Sequence, residues 1–283
     1  MSTDLVKKTN YFVKKDNAVT KALFFDISLI AYRIILLAGT DKFLAQLSDP
    51  NNTDHRIRIS AAEYHEIFGK EGKHISPSYR ALKQSVDELL DAKLKFKDFK
   101  SDNDEGKWSG GINWVSYAAY NDKLKVLELS FSADILPFIH DVNTRYTYYN
   151  IRNIAELTSV HSIRMYELMM FWRKKGCTPN MSITMLKAWL GIRDDSYEYI
   201  PDFNTKIVKK SVNEINAKNT DLNVKLTINK TGKVTKGYKL VILKDGIEMA
   251  ESTDDKQPED HDCGNPSEQV EELEADGEPP LKF

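Results

Sequence analysis

Between Pro201 and Lys218 the chain sets Lys206, Lys209, Lys210 and Asn213 at i, i+3, i+4 and i+7, a spacing that gathers side chains on one face of an α-helix. Ile207, Val208, Val212 and Ile215 fall on the other side. Three ammonium groups and a carboxamide on one stripe suit a polyanion. Lysine reaches phosphates or guanine edges, and asparagine can bond adenine twice in a major groove that admits an α-helix. A solvated amphipathic helix carries a similar outer face, so the place of this helix in the chain decides between the two readings.

A second predicted helix, Ser76 to Asp91, offers Ser78, Arg80, Lys83 and Gln84 for the same chemistry, with hydroxyls near its start available to phosphates. Asp87 and Asp91 would repel a phosphate, so contact belongs to its N-terminal half. Lys230, Lys233 and Lys236 in one Gly-turn hairpin, and Lys107 in an earlier loop, are candidates for backbone contact. Enzymatic motifs are sparse. There is no Gly-x-x-x-x-Gly-Lys-Ser/Thr loop and no Gly-x-Gly-x-x-Gly. The six histidines (His55, His65, His74, His140, His161 and His261) never stand as His-x-His or His-Glu-x-x-His. Tyr146, Tyr148 and Tyr149 could suggest a DNA-nicking tyrosine, yet no ligand-spaced histidine pair accompanies them, and packing at a domain junction is the better reading. The expectation is a protein without catalytic residues, metal or cofactor.

The elements that must position these residues occur in two passes of one order. In the first, a helix from Ser28 to Leu47 leads to a strand, Arg56 to Ile59. A helix follows with the capping-box pattern Ser60-Ala61-Ala62-Glu63 and with Gly69 past its end. Ser76-Pro77 opens the third helix, with Tyr79, Leu82, Val86 and Leu89 as its apolar stripe. Strand-like runs at Lys93–Lys97, Ile112–Tyr120 and Leu124–Phe131 follow, the first two separated by a Gly-rich loop. Trp108 and Trp114 flank the wing of this first pass. After Pro137 the order restarts with helices near Ile151–Leu157, Ser162–Lys174, Ile183–Leu190 and Pro201–Lys218. A hairpin closes it, Leu222–Asn229 with Lys236–Leu243. Trp172 and Trp189 read as core. The predicted class is α+β, two tandem winged helices, divided as a flexible segment 1–16, a first domain 17–140, a second 141–246 and a disordered acidic tail 247–283.

At 283 residues with 41% hydrophobic content the chain can build two cores. No run of 18 apolar residues and no leader-like start occur, so a cytoplasmic protein without membrane contact is expected. Cys177 and Cys263 are too few for a disulfide framework. The net charge of -2 hides an asymmetry. Residues 248–283 carry 13 acids against Lys256 and Lys282, which leaves 29 acids and 38 bases for the remainder, about +9. That excess suits a nucleic-acid partner.

The stretches Tyr149 to Leu157 and Ser162 to Leu168, Pro201-Asp202-Phe203 leading into Val212 to Asn216, Ala62 to Gly69, and Leu136 to Ile139 together resemble the plasmid replication initiators of the Rep type, the family that contains the F-plasmid initiator. The likeness spans about Asn17 to Leu243. It implies binding of double-stranded origin DNA at direct repeats (iterons) and recruitment of host replication proteins such as helicase and initiator. It also implies a homodimer, paired through the first domain, that represses its own promoter. Carried over by position, Asn204, Thr205 and Lys206 are the chief readers, supported by Lys209, Lys210 and Asn213; family members can place arginines where Asn204 and Thr205 stand. Leu281-Lys282-Phe283 resemble a sliding-clamp peptide. A transcriptional repressor on the same domains, a rolling-circle nicking enzyme and a protein scaffold are the rival readings.

Overall fold

Charged residues at the start of the chain form a strand. β1 (Phe12–Asp16) buries Val13 and Lys15, and the side chain of Asp16 caps α1 (Asn17–Lys21) by accepting the Ala18 N–H at 2.7 Å. This computed structural model describes residues 11–24, 27–70, 72–99, 108–143, 145–218 and 220–243. The predicted acidic tail, Cys263, Lys107 and Leu281–Phe283 lie outside them.

After β2 (Leu23–Phe24), α2 (Leu29–Ala38) is capped by Ser28 and is apolar almost all round, so it is buried as the centre of the first domain. The single helix expected from Ser28 to Leu47 breaks at Thr40. That residue is extended, donates its hydroxyl to the Leu37 carbonyl at 2.8 Å and bridges Val13 of β1; α3 (Asp41–Leu44) then resumes. β3 (Ile57–Ser60) runs into α4 (Ala61–Phe68), where both bonds of the predicted capping box form. The third helix is divided into α5 (Ser76–Gln84) and α6 (Val86–Asp91) at Ser85, whose hydroxyl donates to the Leu82 carbonyl.

Two three-stranded sheets complete this domain. β4 (Lys93–Phe99) lies between β2 and β5 (Trp108–Asn113), and β7 (Val126–Phe131) lies between β3 and β6 (Val115–Asn121). The strand expected from Ile112 to Tyr120 changes sheet at Trp114. That side chain is buried, and its backbone bonds Ala92 on one side and Ser132 on the other. The turn beside α5 is therefore Asp122–Lys125, between β6 and β7.

β8 (Tyr146–Asn150) follows and pairs antiparallel with β1 from Phe12↔Asn150 to Asp16↔Tyr146. Residues 12–16, expected within a flexible N-terminal segment, thus form a strand paired with β8. The helix expected near Ile151–Leu157 is a single tight turn, Ile151–Ile154. α7 (Val160–Phe171) packs against α8 (Ile183–Trp189) and α9 (200–217). α9 is α-helical at Ile200–Asp202, widens to π geometry over Phe203–Lys209 and returns to α over Lys210–Ala217. β9 (Asn223–Thr231) and β10 (Val234–Leu243) form the hairpin, turning at Gly232 with φ +60°. β10 is backed by bridges from Cys177 and Met181. Gly237 permits that approach, because a Cβ there would lie 2.7 Å from the Met181 carbonyl oxygen.

Candidate nucleic-acid interface

Along α9 the buried residues come in pairs: Phe203 and Asn204, Ile207 and Val208, Ser211 and Val212, then Ile215. This repeat of four is longer than the α-helical 3.6, and the π turn absorbs the difference. The other side of the helix leaves Thr205, Lys206, Lys209, Lys210 and Asn213 exposed. A shallow, open depression runs along it past Thr205, Lys209, Lys210 and Asn213.

Asn204 is a correction to the expected set of readers. It is 9% exposed, accepts the Tyr238 hydroxyl at 2.6 Å and donates to the Thr235 hydroxyl at 3.2 Å. Burial raises the Tyr238 hydroxyl to about 12, so it remains a donor. Asn204 therefore braces α9 against β10, and its amide is not free to meet a base.

Acidic groups near the face are tied up. Asp202 binds Lys206 at 2.8 Å, a bond that raises the lysine's affinity for its proton; both are well exposed, so the lysine can exchange this partner for a phosphate. Glu214 accepts the Thr158 N–H at 2.9 Å and its hydroxyl at 2.6 Å. Burial pushes this carboxyl up, but those bonds outweigh it and hold it below the usual carboxylate range. Lys210 stands 4.0 Å from it. Lys230, Lys233 and Lys236 are exposed on the hairpin, and Lys236 sits at a bulge next to Thr235, the residue that bonds Asn204.

In the first domain Arg80, Lys83 and Gln84 are exposed on α5. Ser78, expected to meet phosphates, is instead buried, with its hydroxyl 3.0 Å from the His65 ring. This second correction follows from helix geometry: Ser78 lies four residues before Leu82 and shares its inner face. Lys83 holds Asp122 at 2.8 Å across to the β6–β7 turn. There Lys125 also places its ammonium 5.6 Å from the centre of the Tyr79 ring. Lys123 and Lys125, missed in the sequence, are the basic residues of this turn. The signal was Asn121-Asp122 between two strand-like runs, since the Asn121 side chain accepts the N–H groups of Lys123 and Leu124 in an Asx turn.

The tyrosine cluster separates. Tyr146 and Tyr148 are partly exposed, whereas Tyr149 is buried and donates its hydroxyl to Glu167 at 2.6 Å. Burial holds that hydroxyl well above its ordinary value, which is unsuited to a nucleophile. Among the described residues no three His, Cys, Asp or Glu converge as a metal site, and no helix is long and apolar enough to cross a membrane.

The chain is similar to known proteins over most of its length. The crystal structure of the Pi initiator protein in complex with iteron DNA superposes with a TM-score of 0.61 at 19% identity, covering 84% of this chain and 99% of that one. That likeness establishes the fold. An uncharacterized 27.6 kDa protein of Escherichia coli is 23% identical over 232 residues, 78% of this chain and 91% of that protein. The family model described as initiator replication protein, WH1, matches residues 12–170, through α7; that described as initiator Rep protein, WH2, matches residues 182–242. With both domains matched in order, the chain belongs to the family of initiator replication proteins.

Proposed function

We propose that this initiator binds repeated sites in a plasmid origin through both winged helices and opens the origin by binding energy, without catalysing a covalent step. One observation carries the reading. The exposed face of α9, with Thr205, Lys206, Lys209, Lys210 and Asn213, is braced through Asn204 to a hairpin that exposes Lys230, Lys233 and Lys236. In this reading lysines there supply the phosphate contacts that position a protein on a duplex, and the exposed Thr205 and Asn213 meet base edges. Arg80, Lys83 and Gln84 on α5 offer the equivalent face in the first domain. The Pi initiator's complex with iteron DNA supports iterons as the target class.

Recruitment of host helicase, host initiator or clamp, and repression of the gene's own promoter by a homodimer, accompany this reading. Footprinting of purified protein on DNA adjoining its own gene tests it. Directly repeated protected blocks are the expected result. A single palindromic block would point to a repressor instead, and relaxed supercoiled DNA with protein covalently attached would point to a nicking enzyme.

A further inference from the structure

A fully buried carboxylate lies away from the proposed DNA face. Glu167 on α7 is fully buried, and four side chains from four segments surround it. Lys15 of β1 donates to its Oε1 at 2.7 Å, Tyr149 of β8 donates to the same oxygen at 2.6 Å, and Tyr32 of α2 donates to its Oε2 at 2.6 Å. Arg164, one helical turn earlier, approaches that second oxygen at 3.5 Å. The same guanidinium bonds the Trp189 carbonyl at the end of α8 and the Ala22 carbonyl after α1, each at 3.0 Å. One carboxylate thus joins α2 at the centre of the first winged helix to β1, β8 and α7; all four lie within the residues matched as WH1, and α7 reaches the second winged helix by packing against α9 and through the bond of Arg164 to the Trp189 carbonyl.

Such a cluster is a costly way to gain stability, since apolar residues of similar volume often do as well. What it adds is direction. Hydrogen bonds to both carboxylate oxygens fix angles as well as distances, and a rotation of one domain against the other would strand buried charge. Other joints are more exposed: Arg33 bonds the Ala155 and Leu157 carbonyls while half-buried, and Arg152 pairs with Glu66 near the surface.

We propose that Glu167, with Lys15, Tyr32, Tyr149 and Arg164, is a positioning centre that fixes the two winged helices relative to each other and so sets the spacing between half-sites that the initiator accepts. This rests on the reading that both domains engage one repeat. Each added base pair turns one half-site by about 34° and moves it by about 3.4 Å relative to the other. A rigid pair of domains cannot follow two such steps, and a loosened pair can.

The test compares a footprinted repeat with the same DNA carrying two base pairs inserted between its halves. Full-length wild-type protein should lose about 100-fold or more in affinity on the inserted site, because simultaneous engagement is then forbidden. In Glu167→Gln that penalty should shrink by about tenfold or more, with Lys15→Met shrinking it less. If Glu167→Gln does not fold, Tyr149→Phe, which removes one hydroxyl and no charge, carries the comparison with the same direction of change. Folded variants that keep the wild-type penalty overturn the inference. So does a wild-type protein indifferent to the insertion, which would leave repeat binding standing. A wild-type protein that binds no repeat overturns the underlying reading instead.

Discussion

The Tyr238 hydroxyl on β10 donates to Asn204 Oδ1 on α9 at 2.6 Å, and both side chains are buried. Helix and hairpin are therefore one unit. Tyr238→Phe removes the donor and leaves a buried acceptor with no replacement, at a cost of about 1–3 kcal/mol. Urea unfolding should show that loss. Affinity for origin DNA should fall while its dependence on salt stays unchanged, since no phosphate contact is removed. A changed salt slope would mean that Tyr238 or its neighbours touch the backbone directly.

The pair Asp202–Lys206 makes the opposite prediction. Because the carboxylate competes with phosphate for Lys206, Asp202→Asn should tighten DNA binding and steepen its salt dependence. Lys206→Ala and Lys210→Ala should each lower the slope of log K against log salt by roughly 0.9. Filter binding across a salt series measures all three, and a slope unmoved by both alanines removes this face from the interface.

Charge arithmetic ranks the variants of the buried cluster. Glu167→Gln leaves Lys15 and Arg164 buried together without a counter-charge, whereas Lys15→Met leaves Arg164 and Glu167 as a neutral pair. Breaking a buried pair by removing one partner costs about 3–5 kcal/mol, and Glu167→Gln should fall in that range. Lys15→Met should cost clearly less. Equal losses in chemical unfolding would show that the carboxylate does not depend on both cations.

Much of this architecture was legible and some of it was not, for identifiable reasons. The capping box at Ser60 and Glu63, the glycine turn at Gly232 and the buried stripe of α9 are local, and local signals survive without tertiary context. Asn204 shows two signals in conflict. It stands four residues before Val208 and eleven before Ile215, so helical spacing places it on the buried side, while family resemblance places it among the readers. The structure follows the spacing. β1 was illegible because Lys15 looks like a surface residue until the carboxylate of Glu167, far along the chain, is brought to it. A weak clue did exist: Arg164 and Glu167 sit in a helix with Ile163, Met165, Tyr166, Leu168 and Met169, and charges set within such apolar surroundings are usually paired.

Those paired charges also predict how stability varies with pH. Burial pushes the Glu167 carboxyl up, but the Lys15 and Arg164 charges outweigh it and hold it below its ordinary 4.5. Its contribution is therefore fully present above that value and is lost as pH falls through the lower, folded one. On the alkaline side two cations share one carboxylate, and Lys15 is the one whose charged form burial disfavours. Burial lowers Lys15 from 10.5 to about 8 against the pull of Glu167. Between those values the unfolded chain binds more protons at this position than the folded one, so the Lys15 contribution to stability rises with pH. Burial holds Tyr32 and Tyr149 well above 10, so they oppose this rise only beyond it. Denaturant unfolding across pH should show wild-type protein gaining on Lys15→Met over the alkaline window and losing to Glu167→Gln below the carboxylate range. Parallel curves on either side would mean that the corresponding group titrates alike in the folded and unfolded chain, and that its charge is not held in the core as described.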